Sequence, residues 1–234
     1  MDEVISFKVA KSSKWLHYEE MKQNTSLEGV GLQYAVIGDL VGSRQQKSRG
    51  EAQRQLLAAL DAVNTRLPAA QELEPTIGDE LQGVYANLHD ALYATVLVRL
   101  ALPESMDCRF GIGEGQVEIV GTSAYGLTQD GQAWWSAREA IDDAKAKGRH
   151  FPGLRTRIVR EGSDQGDVVN AYLLCRDSLV SDFDGRQRRI ALGVLDGKKL
   201  AQIADEEGIS TSAVSQRHRS GVSVLVESIA EVPR

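Results

Sequence analysis

Two prolines, each preceded by a periodic apolar pattern, place the strongest constraint on how this chain folds. Apolar side chains recur every three to four residues before Pro68 and again before Pro103, which is the spacing of an amphipathic helix that a proline ends. Short apolar runs on either side of Gly78-Asp79 predict a hairpin. Strands that alternate with helices and hairpins predict an α/β or α+β sheet domain.

The remaining elements follow the same reasoning. We expect further strands at residues 34–41, 108–113, 116–120 and 154–159, with a turn at Gly113-Glu114-Gly115 between the second and the third. We expect helices at residues 50–67, 88–102, 132–147 and 168–183, and a glycine-rich loop at residues 121–131.

A chain of 234 residues has room for one domain and an appendage. We expect four segments in order: an N-terminal extension over residues 1–32, the sheet domain over 33–160, a linker with a connecting helix over 161–184, and an all-α helix-turn-helix domain over 185–234.

The sequence also bears on the compartment. A membrane span requires about eighteen consecutive apolar residues, and no run in the sequence approaches this length. The acidic start Met1-Asp2-Glu3 is unlike the basic region of a signal peptide. We therefore expect a cytoplasmic protein with no membrane partner. Cys108 and Cys175 are far apart, each in an apolar stretch, and are expected to be buried thiols.

A stretch near the C-terminus has the pattern of a DNA-binding helix-turn-helix. Leu200, Ile203 and Ala204 form the inner stripe of a first helix, Gly208 supplies a left-handed turn, and Ser210 can cap a second helix. The residues expected to contact DNA are Thr211, Ser212, Ser215, Gln216, Arg217 and Arg219. The stretch is similar to sigma-factor region 4, and a purely structural helical hairpin is the alternative.

Charge supports the DNA interpretation. The net charge of −6 opposes a general affinity for nucleic acid, but residues 185–220 contain seven Lys or Arg against four Asp or Glu. A local basic excess on an acidic protein is typical of a DNA-binding module, so double-stranded DNA is the expected partner. Val222, Leu225 and Ile229 continue at helical spacing, which fits either the core of this unit or the face of a homodimer.

A second candidate site lies in the sheet domain. Asp39 ends an apolar strand and precedes a turn, Gly42-Ser43-Arg44, whose amides, hydroxyl and guanidinium could hold a phosphate. Asp79 and Glu80 lie at the hairpin and could approach the same edge. Converging carboxylates would bind a divalent cation such as Mg²⁺ or Mn²⁺, bridged to phosphate oxygens. The alternative is an ordinary turn.

Four sequence blocks carry a family resemblance. They are IGDLVGS at 37–43, TIGDEL at 76–81, RFGIGEG at 109–115 and DGQAWWSAR at 130–138. In this order they resemble the SatD family and, less closely, the class III nucleotidyl cyclase and GGDEF fold. The resemblance implies a cyclase-like sheet domain, with Asp39 and Asp79 as metal carboxylates, Glu80 as a possible third, and Arg138 as a phosphate contact.

The same resemblance also has departures. Trp134 stands where cyclases place a transition-state Asn, Pro75 stands where they place a base-selecting Lys, and Ile77 replaces the first Gly of GGDEF. Cyclic-nucleotide synthesis is therefore not favoured. Adjacent helical residues point about 100° apart, so we expect Trp134 to line the nucleotide pocket and Trp135 to be core.

Three hypotheses remain open at this point. The favoured one is a transcriptional regulator whose cyclase-like domain binds a nucleotide or phosphate ligand with a divalent metal. The second is an active metal-dependent nucleotidyl cyclase or other phosphotransfer enzyme. The third is a DNA-binding protein whose cyclase-like domain is a degenerate oligomerisation scaffold.

Overall fold

The computed structural model describes residues 31–42, 48–76, 79–123, 126–160 and 168–233. Within the chain, Leu32–Arg234 forms one compact unit. Several predictions lie outside the described residues: most of the extension over 1–32, the phosphate-loop residues Ser43 and Arg44, and the linker from Glu161.

A five-stranded mixed sheet forms the centre of this unit. Its strands are β1 (Gln33–Leu40), β2 (Gln71–Pro75), β3 (Glu80–Tyr85), β4 (Cys108–Gly115) and β7 (Thr156–Val159), in the spatial order β2-β3-β1-β4-β7. β1 is antiparallel to both β3 and β4, and β4 is parallel to β7. β5 (Glu118–Ser123) and β6 (Gly126–Asp130) form a separate antiparallel hairpin.

Helices cover both faces of the sheet. α1 (Arg49–Arg66) and α2 (Leu88–Ala101) pack on one face, and α3 (Gln132–Lys147) packs on the other against β1, β4 and β7. The side chains of Ser48 and Asn87 cap α1 and α2 by accepting a hydrogen bond from a first-turn amide. The predicted helices before Pro68 and Pro103, the hairpin and the mixed α/β class are confirmed.

Glycines on β4 allow α3 to lie unusually close to the sheet. A Cβ atom on Gly111 would be 2.2 Å from the carbonyl oxygen of Ala137, and one on Gly113 would be 2.0 Å from the carbonyl oxygen of Ala133. Because both contacts involve helix backbone, no side-chain rotation could relieve them. These glycines therefore set the separation of α3 from β4.

Two sequence predictions in this region are wrong. The sequence predicts a turn at Gly113–Gly115, but β4 continues through Gly115, and its three glycines, Gly111, Gly113 and Gly115, all face α3. Residues 121–131 were expected to be a loop, but their described part belongs largely to the β5–β6 hairpin. In both places the glycines belong to strands rather than to turns, except Gly131, which is the N-cap of α3.

Five α-helices lie between residues 168 and 233, after the last strand of the sheet. They are α4 (Val168–Ser181), α5 (Gly185–Leu195), α6 (Leu200–Glu207), α7 (Thr211–Arg217) and α8 (Ser223–Ala230), and the chain kinks at Ser220 and Gly221, between α7 and α8. No helix in the described part of the chain is long and apolar enough to span a membrane.

The C-terminal helices share a core with the sheet domain. Val96 and Leu100 of α2 belong to one buried cluster with Ile190, Ile203 and Val214. The helices are therefore part of the same compact unit as the sheet. The apolar stripe Val222, Leu225 and Ile229 is buried in this cluster, so of its two interpretations the core is the one observed.

A buried ionic network ties α4 to α2 and the sheet. The carboxylate of Asp177 is fully buried and accepts hydrogen bonds from the guanidinium groups of Arg99 and Arg176. Arg99 also binds Asp107. Burial alone would raise the pKa of Asp107, but Arg99 and Arg155 outweigh it and lower that pKa.

The two cysteines differ. Cys108 is buried, as expected, whereas Cys175 is exposed on α4, so the prediction of two buried thiols is wrong for Cys175. The reason is that α4 buries the face that carries Leu173, Arg176 and Asp177.

Candidate functional site

Strand register brings Asp39 next to Glu80 and Arg109. Asp39 lies near the end of β1, opposite Glu80 on β3 and opposite Arg109 on β4. Ile37 and Val84 pack in the apolar cluster under α3, and side chains two residues apart on a strand share a face. Asp39 and Glu80 therefore lie on the α3 face of the sheet, as does Arg109, two residues before Gly111.

Helix α3 supplies the other charged groups. Arg138 donates two hydrogen bonds to Glu80, at 2.8 and 3.0 Å. The ammonium of Lys145 lies 3.2 Å from a carboxylate oxygen of Asp39 and 3.7 Å from one of Asp142. We call this group the Asp39 cluster; its members are Asp39, Glu80, Arg109, Arg138, Asp142 and Lys145.

The cluster balances its charges and remains open to solvent. It contains three carboxylates and three cations, and Arg109 lies 3.3 and 3.5 Å from the two carboxylate oxygens of Asp39. The side chains of Arg138 and Lys145 are 47% and 40% exposed. The pKa of Arg138 is raised, first by its hydrogen bond to Glu80 and further by the charges of Asp142 and Asp39.

Asp79 lies at the same edge. Its backbone carbonyl accepts a hydrogen bond from the amide of Leu40, at 3.3 Å, and its side chain is exposed. Burial raises the pKa of the Cys108 thiol, and the negative charges of Asp107, Asp39 and Asp79 add to this. The hydrogen bond from Leu40 places the backbone of Asp79 beside the residue that follows Asp39.

The predicted turn after Asp39 is partly visible. Gly42 has a φ of +71°, a left-handed conformation that favours glycine. Its Ser43 and Arg44 neighbours lie outside the described residues.

The carboxylates have the right chemistry for a divalent cation but are already paired. Hard cations such as Mg²⁺ and Mn²⁺ prefer carboxylate oxygens, and Asp39, Asp79 and Glu80 offer them. Within the described ranges, however, no group of three or more His, Cys, Asp or Glu side chains could hold an ion as it stands. Asp39 is paired instead with Arg109 and Lys145, and Glu80 with Arg138.

The two tryptophans have the opposite environments from those predicted. Trp134 is 9% exposed and packs against Ala35 and Ile37, whereas Trp135 is 62% exposed. The indole nitrogen of Trp135 donates to Asp130, at 2.9 Å, and the ring lines an open cavity of about 410 Å³. The predictions that Trp134 lines the pocket and that Trp135 belongs to the core are therefore wrong. The close approach of α3 to β4 turns Trp134 toward the sheet.

Three members of the cluster were missed from sequence. Arg109 lies two residues before Gly111, and Asp142 and Lys145 lie four and seven residues after Arg138. Residues at these helical intervals share one face. That spacing was the available signal for Asp142 and Lys145, whereas Arg109 required the strand register.

The α6–α7 segment has the predicted local geometry. Gly208 has a φ of +64°, Ser210 caps α7 by accepting from the amide of Ala213, and Val214 is buried. Of the residues predicted to contact DNA, Thr211, Ser212, Gln216 and Arg219 are exposed, whereas Ser215 and Arg217 are half-buried. Arg219 lies beyond α7, just before the kink at Ser220 and Gly221.

Ion pairs in the α6–α7 segment and in the neighbouring helix α5 reduce the positive charge that is available to bind DNA. Arg217 binds Asp184 at 2.7 Å, and Arg189 binds Glu207 at 2.6 Å. Arg186 also binds Glu207, and Lys198 binds Glu206. Four of the seven basic residues between 185 and 220 are therefore paired with nearby carboxylates. The basic excess at the surface is smaller than the composition indicates.

Comparison with known proteins identifies one family. The model of the SatD family matches residues 33–228. No curated protein matches the chain.

Some solved structures are weakly similar. A bacterial light-regulated adenylyl cyclase aligns with a TM-score of 0.39 and 14% identity, over 52% of this chain and 41% of that one. The guanylate cyclase domain of RhGC from Catenaria anguillulae, in complex with GTP, aligns with a TM-score of 0.40 and 14% identity, over 53% of this chain and 84% of that one. The guanylyl cyclase domain of the RhoGC fusion protein from Blastocladiella emersonii gives 0.37 and 16%, over 48% and 73%.

Proposed function

This chain belongs to the SatD family, and we propose that its Asp39 cluster binds the phosphate groups of a nucleotide together with Mg²⁺ or Mn²⁺. The observation that carries the proposal is that side chains from distant parts of the sequence meet at one place on the sheet. Asp39, Glu80 and Arg138 come from three separate sequence blocks, yet they meet on one solvent-accessible edge of the sheet.

Each group has a chemical role in such a site. The planar guanidinium of Arg138 can bind two phosphate oxygens at once, whereas Lys145 offers a compact charge on a flexible chain. Asp39, Asp79 and Glu80 would hold the divalent cation, which neutralises phosphate charge. Arg109 is held on a strand beside Asp39 and would keep that carboxylate oriented.

Binding is proposed rather than turnover. Trp134 occupies the position at which the cyclase resemblance places a transition-state Asn, and it packs in the apolar cluster under α3. An indole has one N–H donor and no acceptor, so it cannot replace both hydrogen-bonding groups of an amide side chain, and the Nε1 of Trp134 is buried without a hydrogen-bond partner. Release of pyrophosphate or inorganic phosphate from a nucleoside triphosphate would instead support the enzyme hypothesis.

The test is thermal unfolding of the full chain with Mg²⁺ or Mn²⁺ and a purine nucleoside triphosphate. A ligand that binds only the folded state, at one hundred times its Kd, stabilises it by about 2.7 kcal/mol, so Tm should rise. Asp39→Asn and Asp79→Asn should each abolish this rise. Without ligand, Asp39→Asn should change stability little, because partly exposed ion pairs contribute about 0–1 kcal/mol.

Asp143→Asn is the matched control. Asp143 is also on α3, but it pairs with Lys147 and Arg157 rather than with the cluster. This variant should keep the full ligand-dependent rise in Tm. The proposal would be contradicted by a wild-type protein that shows no rise, or by an equal rise in Asp39→Asn.

DNA binding by the α6–α7 segment is the second candidate function. It is favoured by the exposure of Thr211, Ser212 and Gln216 on a capped helix that follows the left-handed Gly208 turn. A homodimer would present two such helices to paired half-sites. With the nucleotide site, this would make the protein a ligand-responsive regulator.

The DNA prediction should be tested on the full chain, because α5 to α8 share their core with α2. Affinity for duplex DNA should fall steeply with salt, since phosphate contacts release counterions. Arg219→Ala should weaken binding to all sequences, whereas Gln216→Ala should reduce discrimination by about 1–3 kcal/mol if it contacts a base edge. Fluorescence anisotropy that detects no salt-dependent binding to any duplex would exclude this function.

A further inference from the structure

We infer that the open cavity beside Trp135 binds the guanidinium group of a small organic cation, between the Trp135 indole and the carboxylates of Glu118 and Asp130. The cavity lies at the N-terminal end of α3, whereas Lys145 of the Asp39 cluster lies near the C-terminal end of that helix. This site is separate from the Asp39 cluster, and the inference does not depend on the proposed function.

Two carboxylates face each other at the open end of the β5–β6 hairpin. Glu118 and Asp130 are directly opposite in the antiparallel ladder, and both line the cavity of about 410 Å³. Side chains opposite each other in such a ladder share a face, with Cβ atoms about 4.5–5.5 Å apart, and like charges there are destabilising. A cation bound between the two carboxylates would relieve this repulsion.

No described side chain neutralises this pair. The residues that line the cavity, within the part of the chain that the structure describes, include no lysine, arginine or histidine. Glu118 is exposed, and within that part its carboxylate has no hydrogen bond or ion pair. The N-terminus of α3 contributes about half an elementary charge of positive sign, so a net charge of about −1.5 remains at the cavity.

Trp135 gives the cavity an aromatic wall. The residue is 62% exposed, and its indole nitrogen donates to Oδ1 of Asp130 at 2.9 Å. The same oxygen accepts a hydrogen bond from the amide of Gly131 at 2.8 Å, so the indole and the carboxylate are held side by side. A cation over the face of a tryptophan is attracted by the electrons of the ring. A ligand in the cavity can therefore contact the ring and a carboxylate together.

These walls suit a guanidinium group better than other ligands. A planar guanidinium can stack on an indole and donate two parallel hydrogen bonds to a carboxylate, whereas an ammonium has the charge but no flat face. A phosphate would meet two carboxylates. A divalent cation would gain no oxygen ligand from the indole, and among the described residues no group of three or more His, Cys, Asp or Glu could hold one.

The experiment is an NMR titration of the isotope-labelled full chain with agmatine. The indole N–H signal of Trp135, identified by its absence in Trp135→Phe, should shift as agmatine binds. Putrescine carries two charges on the same butane chain but has no guanidinium, and it should bind at least about threefold more weakly. Added salt should weaken the binding of both, because the attracting charges lie at the surface.

Glu118→Gln tests the carboxylate pair. This variant should bind agmatine at least about fivefold more weakly, which is the upper part of the range for exposed ion pairs. Without ligand its Tm should not fall, because the substitution removes the repulsion from Asp130. Asp61→Asn is the matched control. Asp61 is exposed on α1, which packs on the opposite face of the sheet, so this variant should keep the full affinity for agmatine.

A blocked tripeptide with a central arginine distinguishes the two sources of a guanidinium group. Agmatine should bind more tightly than the peptide, and tighter binding of the peptide would overturn the small-molecule source in favour of an arginine of a partner protein. The inference as a whole is overturned if agmatine leaves the Trp135 signal unchanged, if putrescine binds as tightly as agmatine, or if Glu118→Gln keeps the wild-type affinity. None of these results bears on the Asp39 cluster, which is tested by the nucleotide-dependent rise in Tm.

Discussion

Replacing Asp177 with alanine should destabilise the protein by at least about 3–5 kcal/mol, the cost of breaking a buried ion pair by removing one partner. Asp177 is fully buried and accepts hydrogen bonds from Arg99 and Arg176, and from the amides of Arg155 and Thr156. Its loss would leave two buried guanidinium groups without this partner, along with two amides. A total stability of about 5–15 kcal/mol is typical of a domain, so the variant should be close to unfolding.

Urea denaturation followed by circular dichroism measures this effect. Asp182→Ala is the control, because Asp182 lies just after α4 and is exposed, and such surface changes usually alter stability by less than about 0.5 kcal/mol. Should Asp177→Ala be insoluble, Asp177→Asn keeps the shape of the side chain and should still show a large loss. A loss below about 1 kcal/mol in Asp177→Asn would show that the network contributes little.

Replacing Gly113 with alanine should have the second large effect. The new Cβ would lie 2.0 Å from the carbonyl oxygen of Ala133 and 2.3 Å from the amide of Ala137. Overpacking of a well-packed core costs about 1–3 kcal/mol, and more when backbone must move, so we expect about 3 kcal/mol or more. Displacement of α3 would also move Arg138 and Lys145, so nucleotide-dependent stabilisation should be lost too.

Gly121→Ala is the control for this substitution. Gly121 is also a strand glycine, on β5, but a Cβ there would have no atom within 4 Å. Chemical denaturation should show little change for Gly121→Ala and a large loss for Gly113→Ala. Equal stabilities would mean that α3 can shift away from the sheet without loss of packing.

The same glycines show where sequence reasoning failed and why. A Gly-x-Gly run is usually a turn, and nothing within the run reveals that a helix lies against it. Gly113 and Gly115 lie in a strand, and α3 packs so closely against them that a side chain at either position would collide with the helix. In contrast, the helices before Pro68 and Pro103 were predictable, since periodicity and proline act locally.

The site was partly predictable for a similar reason. Asp39, Glu80 and Arg138 stand in recognisable blocks, but the pairing of Asp39 with Arg109 and Lys145 depends on strand register and on the placement of α3. The prediction of which tryptophan is buried is wrong, because Trp134 and Trp135 are adjacent on one helix and differ only in which of them faces the sheet. That choice is set by the packing of α3 and not by the residues themselves.

The C-terminal helices show the limit of local patterns in another way. Gly208, Ser210 and Val214 predicted the turn, the cap and the inward position correctly. The packing of these helices against Val96 and Leu100 was not predictable, because the sequence of a buried apolar helix does not show which element packs against each of its side chains.

The most direct measurement is a crystal structure of the full chain with Mn²⁺ and a non-hydrolysable purine triphosphate, with data collected at the manganese absorption edge. We expect an anomalous peak bonded to the carboxylate of Asp39 and phosphate oxygens in contact with Arg138. A nucleotide bound elsewhere, such as beside Trp135, with Asp39 still held by Arg109 and Lys145, would contradict the proposed site.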